Sequence, residues 1–379
     1  MALTIKQVHT PAELKTFIRF NYELYKDNPY SVPDLEHDLL GVFDPKKNAA
    51  FAFCEAALFL AYDADRVVGR VAAIINQRAN ATWHKQEVRF GWIDFVDDRA
   101  VAALLLDTVA EWGRTRGMTA LVGPLGFTDM DPEGMLIEGF EELSTMATIY
   151  NYPYYPKHLE ALGFEKAVDW VEFKIQVPKA IPEKMLRVAQ IVQSKFGLRV
   201  RKLTSKKELI RTGEAHKIFE LINEAYKPLF GFSEMTKGQI DQYVSQYISV
   251  IDLQMVTIID DADGNMVGVG ITMPSMSRAL QKAKGKLFPF GWWHLLKALK
   301  WQKDEIVDLL LVAIKPEYQS KGANALLFAD LIPVFQKLGF KYSETNPELE
   351  LNDKVQKQWE YFDTQLHKRR RCYQRAINA

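Results

Sequence analysis

Cysteine is scarce in this chain. Cys54 and Cys372 are the two among 379 residues, and no Cys or His spacing matches a metal site. A disulfide framework and a structural zinc cluster are therefore excluded as organising devices, and no metal is expected. Two free thiols fit a reducing cytoplasm. An excess of charge is missing too. Lys plus Arg number 48, and so do Asp plus Glu, so no global field draws the chain to double-stranded nucleic acid or to an anionic membrane. No apolar run reaches membrane-spanning length, and Met1 to Lys6 lack the apolar core of a signal peptide. These absences predict a cytoplasmic protein without a transmembrane segment. There is no Ser-His-Asp spacing and no His-Glu-x-x-His; the seven histidines are scattered. What remains is a well-packed soluble composition, 48% hydrophobic, long enough for two domains of ordinary size.

The most informative stretch runs from Val307 to Phe335. Val307–Ile314 is a β-branched and leucine run, the mark of a strand buried on both faces. Pro316 ends it, and Leu327, Leu331 and Val334 mark the apolar face of a following helix. Between them lies the polar turn Gln319-Ser320-Lys321-Gly322-Ala323-Asn324. Consecutive amides in such a turn, reinforced by the helix dipole, can point at an anion.

The chain also repeats itself. Leu3–Val8 alternates like a strand, and Thr10-Pro11-Ala12-Glu13 opens a helix with a capping-box pattern. Leu198–Leu203 and Ser205–Glu208 restate the phrase. The hairpin pattern of Leu58–Tyr62 and Val67–Val71 returns as Met255–Ile259 and Val267–Ile271. Each half reads strand, helices, hairpin, strand, helix, strand, helix, which implies a mixed α/β sheet. Pro178 and Pro182 mark the boundary, giving domains 1–178 and 179–379, and a helix from about Glu183 to Phe196 bridges them. The halves differ after the fourth strand. Where the second has Gly322, the first has Val96-Asp97-Asp98-Arg99-Ala100, with two carboxylates that would repel a phosphate. Only the second half is expected to bind one.

Three further stretches carry chemistry-bearing residues. Gly123–Gly134 is a Gly/Pro-punctuated loop with Asp129 and Asp131, followed by Tyr150-Asn151-Tyr152-Pro153-Tyr154-Tyr155. Asp129, Asp131, Tyr152 and Tyr154 together would suit a cationic amine; the other reading is a solvated acidic loop beside a half-buried tyrosine cluster. Leu287–Lys300 is aromatic, then helical, with Trp292, Leu295, Leu296 and Leu299 on one face. It could cap an apolar acyl chain or touch a membrane surface, or it could be a helix packed on the second domain. His367–Arg371 reads as a solvated edge strand blunted by charge, or as a phosphate contact.

With these residues in hand, the 319–324 turn resembles the Gln/Arg-x-x-Gly-x-Gly/Ala loop of the GNAT acyltransferase superfamily. Gln319 and Gly322 fall on the pattern and Asn324 departs from its last position. Most of the chain resembles a bacterial family of tandem GNAT-like proteins. The resemblance rests on Asp27–Pro33, Val68–Ala72, Gly123-Pro124, Glu138–Phe140, Tyr150–Tyr155, Gly163-Phe164, Asp169-Trp170, Gly285–Pro289 and Asn346–Asn352. It implies an α/β fold of two tandem GNAT-like domains, each a mixed twisted sheet flanked by helices. It implies acetyl-CoA or another acyl-CoA as co-substrate, with its pyrophosphate on Gln319, Ser320, Lys321, Gly322, Ala323 and Asn324 and its pantetheine arm along Val312 and Ile314. It implies acyl transfer, acetyl in the first instance, to a small-molecule amine or a peptide. Similar enzymes use a Tyr on the helix after the fifth strand as general acid. Counting from Asn352, that position falls on Trp359, which leaves Tyr361 as the candidate. Two competing classes are a non-catalytic ligand-binding protein that kept the fold, and a transferase acting from charged tRNA. The acceptor and the oligomeric state are not legible at this level.

Overall fold

The computed structural model describes residues 3–301 and 304–377, except the side chains of residues 353 and 354. Met1 and Ala2, on which part of the leader reading falls, lie outside the described residues. The strands are β1 (Leu3–Gln7), β2 (Cys54–Asp63), β3 (Arg66–Asn76), β4 (Glu87–Phe95), β5 (Ala120–Gly123), β6 (Met135–Glu138), β7 (Glu165–Gln176), β8 (Arg199–Arg201), β9 (Val256–Asp260), β10 (Met266–Pro274), β11 (Ile306–Ile314), β12 (Tyr342–Thr345), β13 (Glu348–Leu349) and β14 (Thr364–Ala376).

All belong to one sheet, in the order β1-β2-β3-β4-β5-β14-β7-β12-β11-β10-β9-β8, with β6 on β14 and β13 on β7. The order reads nearly the same from both ends. β1 to β4 form an antiparallel meander, and β5 is parallel to β4 through the helix Arg99–Arg114. β8 to β11 repeat the meander, and β12 is parallel to β11 through the helix Asn324–Leu338. The strands that should close the two halves are exchanged. β14, from the second half, lies beside β5 of the first, and β7, from the first, lies beside β12 of the second.

Local chemistry accounts for these elements. Thr10 and Glu13 form the capping box, and Ser205 accepts from the Glu208 amide at the repeated position. Gly69 pairs with Phe95 and Gly268 with Ile314; the next amides, of Val96 and Lys315, donate to Val68 and Val267. Phe95 and Ile314 are therefore the same position in the two halves. Each fourth strand also carries an irregularity, near Trp92 and near Leu310, which bends the strand away from its neighbour. The bridging helix Glu183–Phe196 buries Met185, Ala189 and Val192 in the core that receives the helix Asn324–Leu338.

The His367–Arg371 reading as a solvated edge strand is overturned. β14 sits in the middle of the sheet, and Lys368 and Arg370 are 0% exposed. Burial is tolerable because each cation meets a carboxylate. Arg370 Nε lies 2.5 Å from Glu172 Oε1, Lys368 lies 3.3 Å from Glu172 Oε2, and Lys368 also bonds Glu344. The network ties β14 to both β7 and β12.

Candidate functional site

The geometry of interest begins where parallel pairing stops. β11 and β12 are paired from Ile306 with Tyr342 to Leu309 with Thr345, and then part. Beyond that point one edge of β11 faces a gap. The carbonyls of Leu310, Val312 and Ile314 point the same way along that edge, and each accepts a side chain. Asn346 Nδ2 donates to Leu310 at 2.6 Å, the Tyr226 hydroxyl to Val312 at 3.2 Å, and Gln319 Nε2 to Ile314 at 2.9 Å.

At the end of β11, Pro316 does more than stop a strand. It starts a one-turn helix, Pro316–Gln319, whose first position tolerates the missing N–H. Gly322 follows at φ +83°, and the helix Asn324–Leu338 begins two residues later. A Cβ at Gly322 would lie 2.8 Å from Val188 of the bridging helix, so both the backbone angle and the packing require glycine. Among the described residues, the amides of Gly322, Ala323 and Asn324 donate to no acceptor in the protein. The Asn324 side chain turns away and donates to Gln358 Oε1 at 3.0 Å. The turn is thus a helix start with three unbonded amides, of which that of Ala323 lies in a fully buried residue. Lys321 lies over the rings of Tyr318 and Phe196, at 4.4 and 5.1 Å. Ser320 is exposed.

Glu348 of β13 stands beside this gap. Both its oxygens accept from Trp359 Nε1, at 3.1 Å each. Burial pushes its carboxyl up to about 7, against the smaller opposing effect of the Trp359 bond. Glu348 is near enough to raise the Tyr226 phenol, which burial chiefly pushes up to about 12. Trp359 is itself buried against Phe328. Tyr361 is partly exposed at the end of the same 3-10 turn, with Lys184 over its ring at 4.6 Å.

Acidic side chains gather where loops of the first half meet helices of the second. The Ser233 amide donates to Asp129 Oδ2 at 3.1 Å, the Tyr243 hydroxyl meets Thr128 Oγ1 at 3.3 Å, and Arg89 donates to the Gly231 carbonyl. Asp129 and Asp131 are each pushed up to about 6 by burial, and Glu133 well above its ordinary value for the same reason. Asp34 is exposed at the surface, and the protein crowded around it raises its carboxyl to about 6. Arg89 and Arg70 only partly offset this crowd of carboxylates.

Tyr152 and Tyr154 lie elsewhere, in an aromatic cluster with Tyr25, Tyr150, Tyr155 and Phe95. The structure therefore places the four residues in two groups. The tyrosines fill the first half's own strand gap. The Phe95 amide donates to the Tyr155 hydroxyl at 3.0 Å, and the Tyr154 hydroxyl donates to the Phe95 carbonyl at 2.6 Å. Asp98 caps the helix that follows by accepting from Ala100, and Asp97 meets His158 at 2.7 Å. A separate open concavity of about 1000 Å³, bordered by Asp107, Arg114 and Arg375, lies far along the sheet at the β5–β14 edge.

Sequence reasoning passed over Glu348, Tyr226 and Asp34. Glu348 lay within the quoted Asn346–Asn352 stretch, but nothing local told it apart from a surface glutamate.

No family model matches the chain. Among curated proteins, it is 29% identical to the bacterial ceramide synthase of Caulobacter vibrioides over 381 residues, covering 99% of this chain and 98% of that one. It is 25% identical to protein YghO of Escherichia coli, covering 96% and 93%. Among solved structures, it is similar to a tandem GNAT protein from the clavulanic acid biosynthesis pathway, with a TM-score of 0.57, 13% identity and coverage of 100% and 99%. A GCN5-related N-acetyltransferase from Sphaerobacter thermophilus gives a TM-score of 0.52, 12% identity and coverage of 100% and 96%. The fold is that of a tandem GNAT-like protein, and the curated relatives are bacterial.

Proposed function

We propose that this chain transfers an acyl group from coenzyme A to an amine, and that the reaction takes place in the gap beside β11. The observation that carries the reading is that a helix start with unbonded amides, the parted strands β11 and β12, and a carboxylate raised to about 7 lie within one half. The amides at 322–324 would take the pyrophosphate. The edge of β11 at Val312 and Ile314 would take the pantetheine arm. Glu348 is the general base, since a carboxyl near 7 is half ionised where an amine must lose a proton. The amine nitrogen attacks the thioester carbonyl, a C–N bond forms, and Glu348 takes the nitrogen's proton. The C–S bond then breaks, the departing thiolate takes its proton from water, and Glu348 releases the proton it accepted to solvent, which restores the carboxylate. Tyr361 stands outside this assignment because its ring is turned to Lys184.

The carboxylates Asp34, Asp129 and Asp131 would draw a cationic amine toward the gap. The relative named a ceramide synthase supports an acceptor amine on a long apolar chain, and an acyl donor longer than acetyl. The balanced charge and the two buried thiols support a cytoplasmic setting.

The test is calorimetric titration with coenzyme A, followed by turnover of acyl-CoA with long-chain and short amines. Absence of coenzyme A binding would sink the reading. One observation favours a second one. The three β11 edge carbonyls are already taken by side chains, as in a protein that binds without turnover. Binding without any acyl transfer would select it.

A further inference from the structure

The segment from Ser277 to Trp301 contains no Asp or Glu, in a chain whose charges otherwise balance. It forms two helices, Ser277–Ala283 and Gly291–Lys300, joined by an aromatic turn. Its inner face is well packed. Leu295, Ala298 and Leu299 meet Leu280, Met276 and Leu310. Its outer face is not. Phe288 is 73% exposed, Phe290 71% and Trp301 63%, with Trp292 and Trp293 beside them. The sequence pattern placed Trp292 on the packed side; instead its indole donates to the Pro289 carbonyl at 2.8 Å and its ring faces out against Trp293. Lys282, Lys284, Lys286 and Lys300 are exposed around these rings. Of the carboxylates nearby, Glu36 pairs with Arg19 and Asp304 with Arg278 of the segment itself, while Asp34 and Asp38 are exposed on the adjoining 34–38 stretch.

Five exposed aromatic rings on one surface are a large apolar patch for a water-facing protein. Rings of Trp and Phe ringed by lysine match the interface of a bilayer, where aromatic side chains settle at headgroup depth and cations meet anionic lipid. We propose that this helical hairpin docks the protein on an anionic phospholipid surface. The charge of the patch selects this occupant, since its lysines complement acidic headgroups. Its position gives docking a purpose. Gln281 donates to the Pro29 and Ser31 carbonyls, the Glu36 amide donates to the Gly285 carbonyl, and the Tyr22 hydroxyl donates to the Asp34 carbonyl. The patch therefore adjoins the loop that carries Asp34, and its inner face touches Leu310 at the β11 irregularity. The proposal rests on the patch itself and not on acyl transfer.

The test is sedimentation of the full chain with phosphatidylcholine vesicles, with and without phosphatidylglycerol. Wild type should sediment with the anionic vesicles, less so in high salt. A Phe288→Ser, Phe290→Ser, Trp293→Ser variant should lose this binding at least tenfold while keeping its circular dichroism, because these rings add little to the core. A Lys282→Gln, Lys284→Gln, Lys286→Gln variant should lose roughly a hundredfold, about fivefold for each lysine. Wild type that stays in the supernatant, or variants that sediment as well as wild type, would overturn the proposal. So would a dimer in analytical ultracentrifugation that the aromatic variant dissolves without any vesicle binding. Coenzyme A calorimetry on the same proteins keeps the two readings apart, because a chain that binds vesicles but not coenzyme A fails only the acyl-transfer one.

Discussion

Phe95 and Ile314 occupy the same place in the two halves, and their surroundings differ in one respect that matters. At Phe95 the protein satisfies both backbone groups itself, with the hydroxyls of Tyr155 and Tyr154. At Ile314 a single glutamine side chain reaches the carbonyl. The turn after Phe95 is closed by an Asp98 cap; the turn after Ile314 leaves three amides without a protein acceptor among the described residues. The same scaffold is plugged by tyrosine hydroxyls in the first half, and in the second it is bridged by Asn346, Tyr226 and Gln319 but keeps a turn of unbonded amides.

The comparison can be broken most severely at the strands the halves exchange. Arg370→Met should leave Glu172 buried with one partner fewer and cost about 3–5 kcal/mol. Denaturant unfolding should show both halves melting in one transition, since β14 and β7 belong to both. The next test goes to the open turn. Gly322→Val should weaken coenzyme A binding at least tenfold by calorimetry, because φ +83° strains a branched residue by about 1–2 kcal/mol and its side chain would meet Val188.

Glu348→Gln asks whether the open half is also a reactive one. Turnover should fall about a hundredfold with coenzyme A affinity unchanged, and the limb of the pH–rate profile near 7 should vanish. Stability gives an independent readout. The Glu348 carboxyl is raised from an ordinary 4.5 to about 7, so it favours the folded state fully below about 4.5 and loses that contribution as pH rises through 7. The variant should flatten this fall by on the order of 3 kcal/mol. The smallest effect belongs to the filled half. Asp97→Ala with Asp98→Ala should leave coenzyme A binding untouched and cost about 1 kcal/mol through the lost cap. Weakened binding there would mean that the first half takes part after all.

Much of this fold was written in local patterns. The hairpins, the Thr10–Glu13 and Ser205–Glu208 starts, the bridging helix and the β11 turn depend on neighbours in sequence, so the sequence displays them. The position of β14 depends on partners hundreds of residues away. A run of Lys and Arg looks like a solvated edge until Glu172 and Glu344 are seen waiting for it. The tyrosine run was legible as a cluster but not as a plug, because the two backbone groups it satisfies belong to Phe95. Glu348 was hidden for the same reason: burial beside Trp359 raises its carboxyl, and burial is a property of the assembled chain.

The exchange of β7 and β14 also has a consequence in time. Translation delivers β1 to β5 early, but the strand that covers β5 begins at Thr364. At a synthesis rate of about 5–20 residues per second, the first half must wait roughly 10–50 s with β5 uncovered. An unpaired strand edge invites other chains for as long as it stays open. For a nascent chain of this design, the hazard of aggregation is set by how fast the ribosome reaches residues 373–376, which cover β5, and a pause placed late in the message would lengthen it.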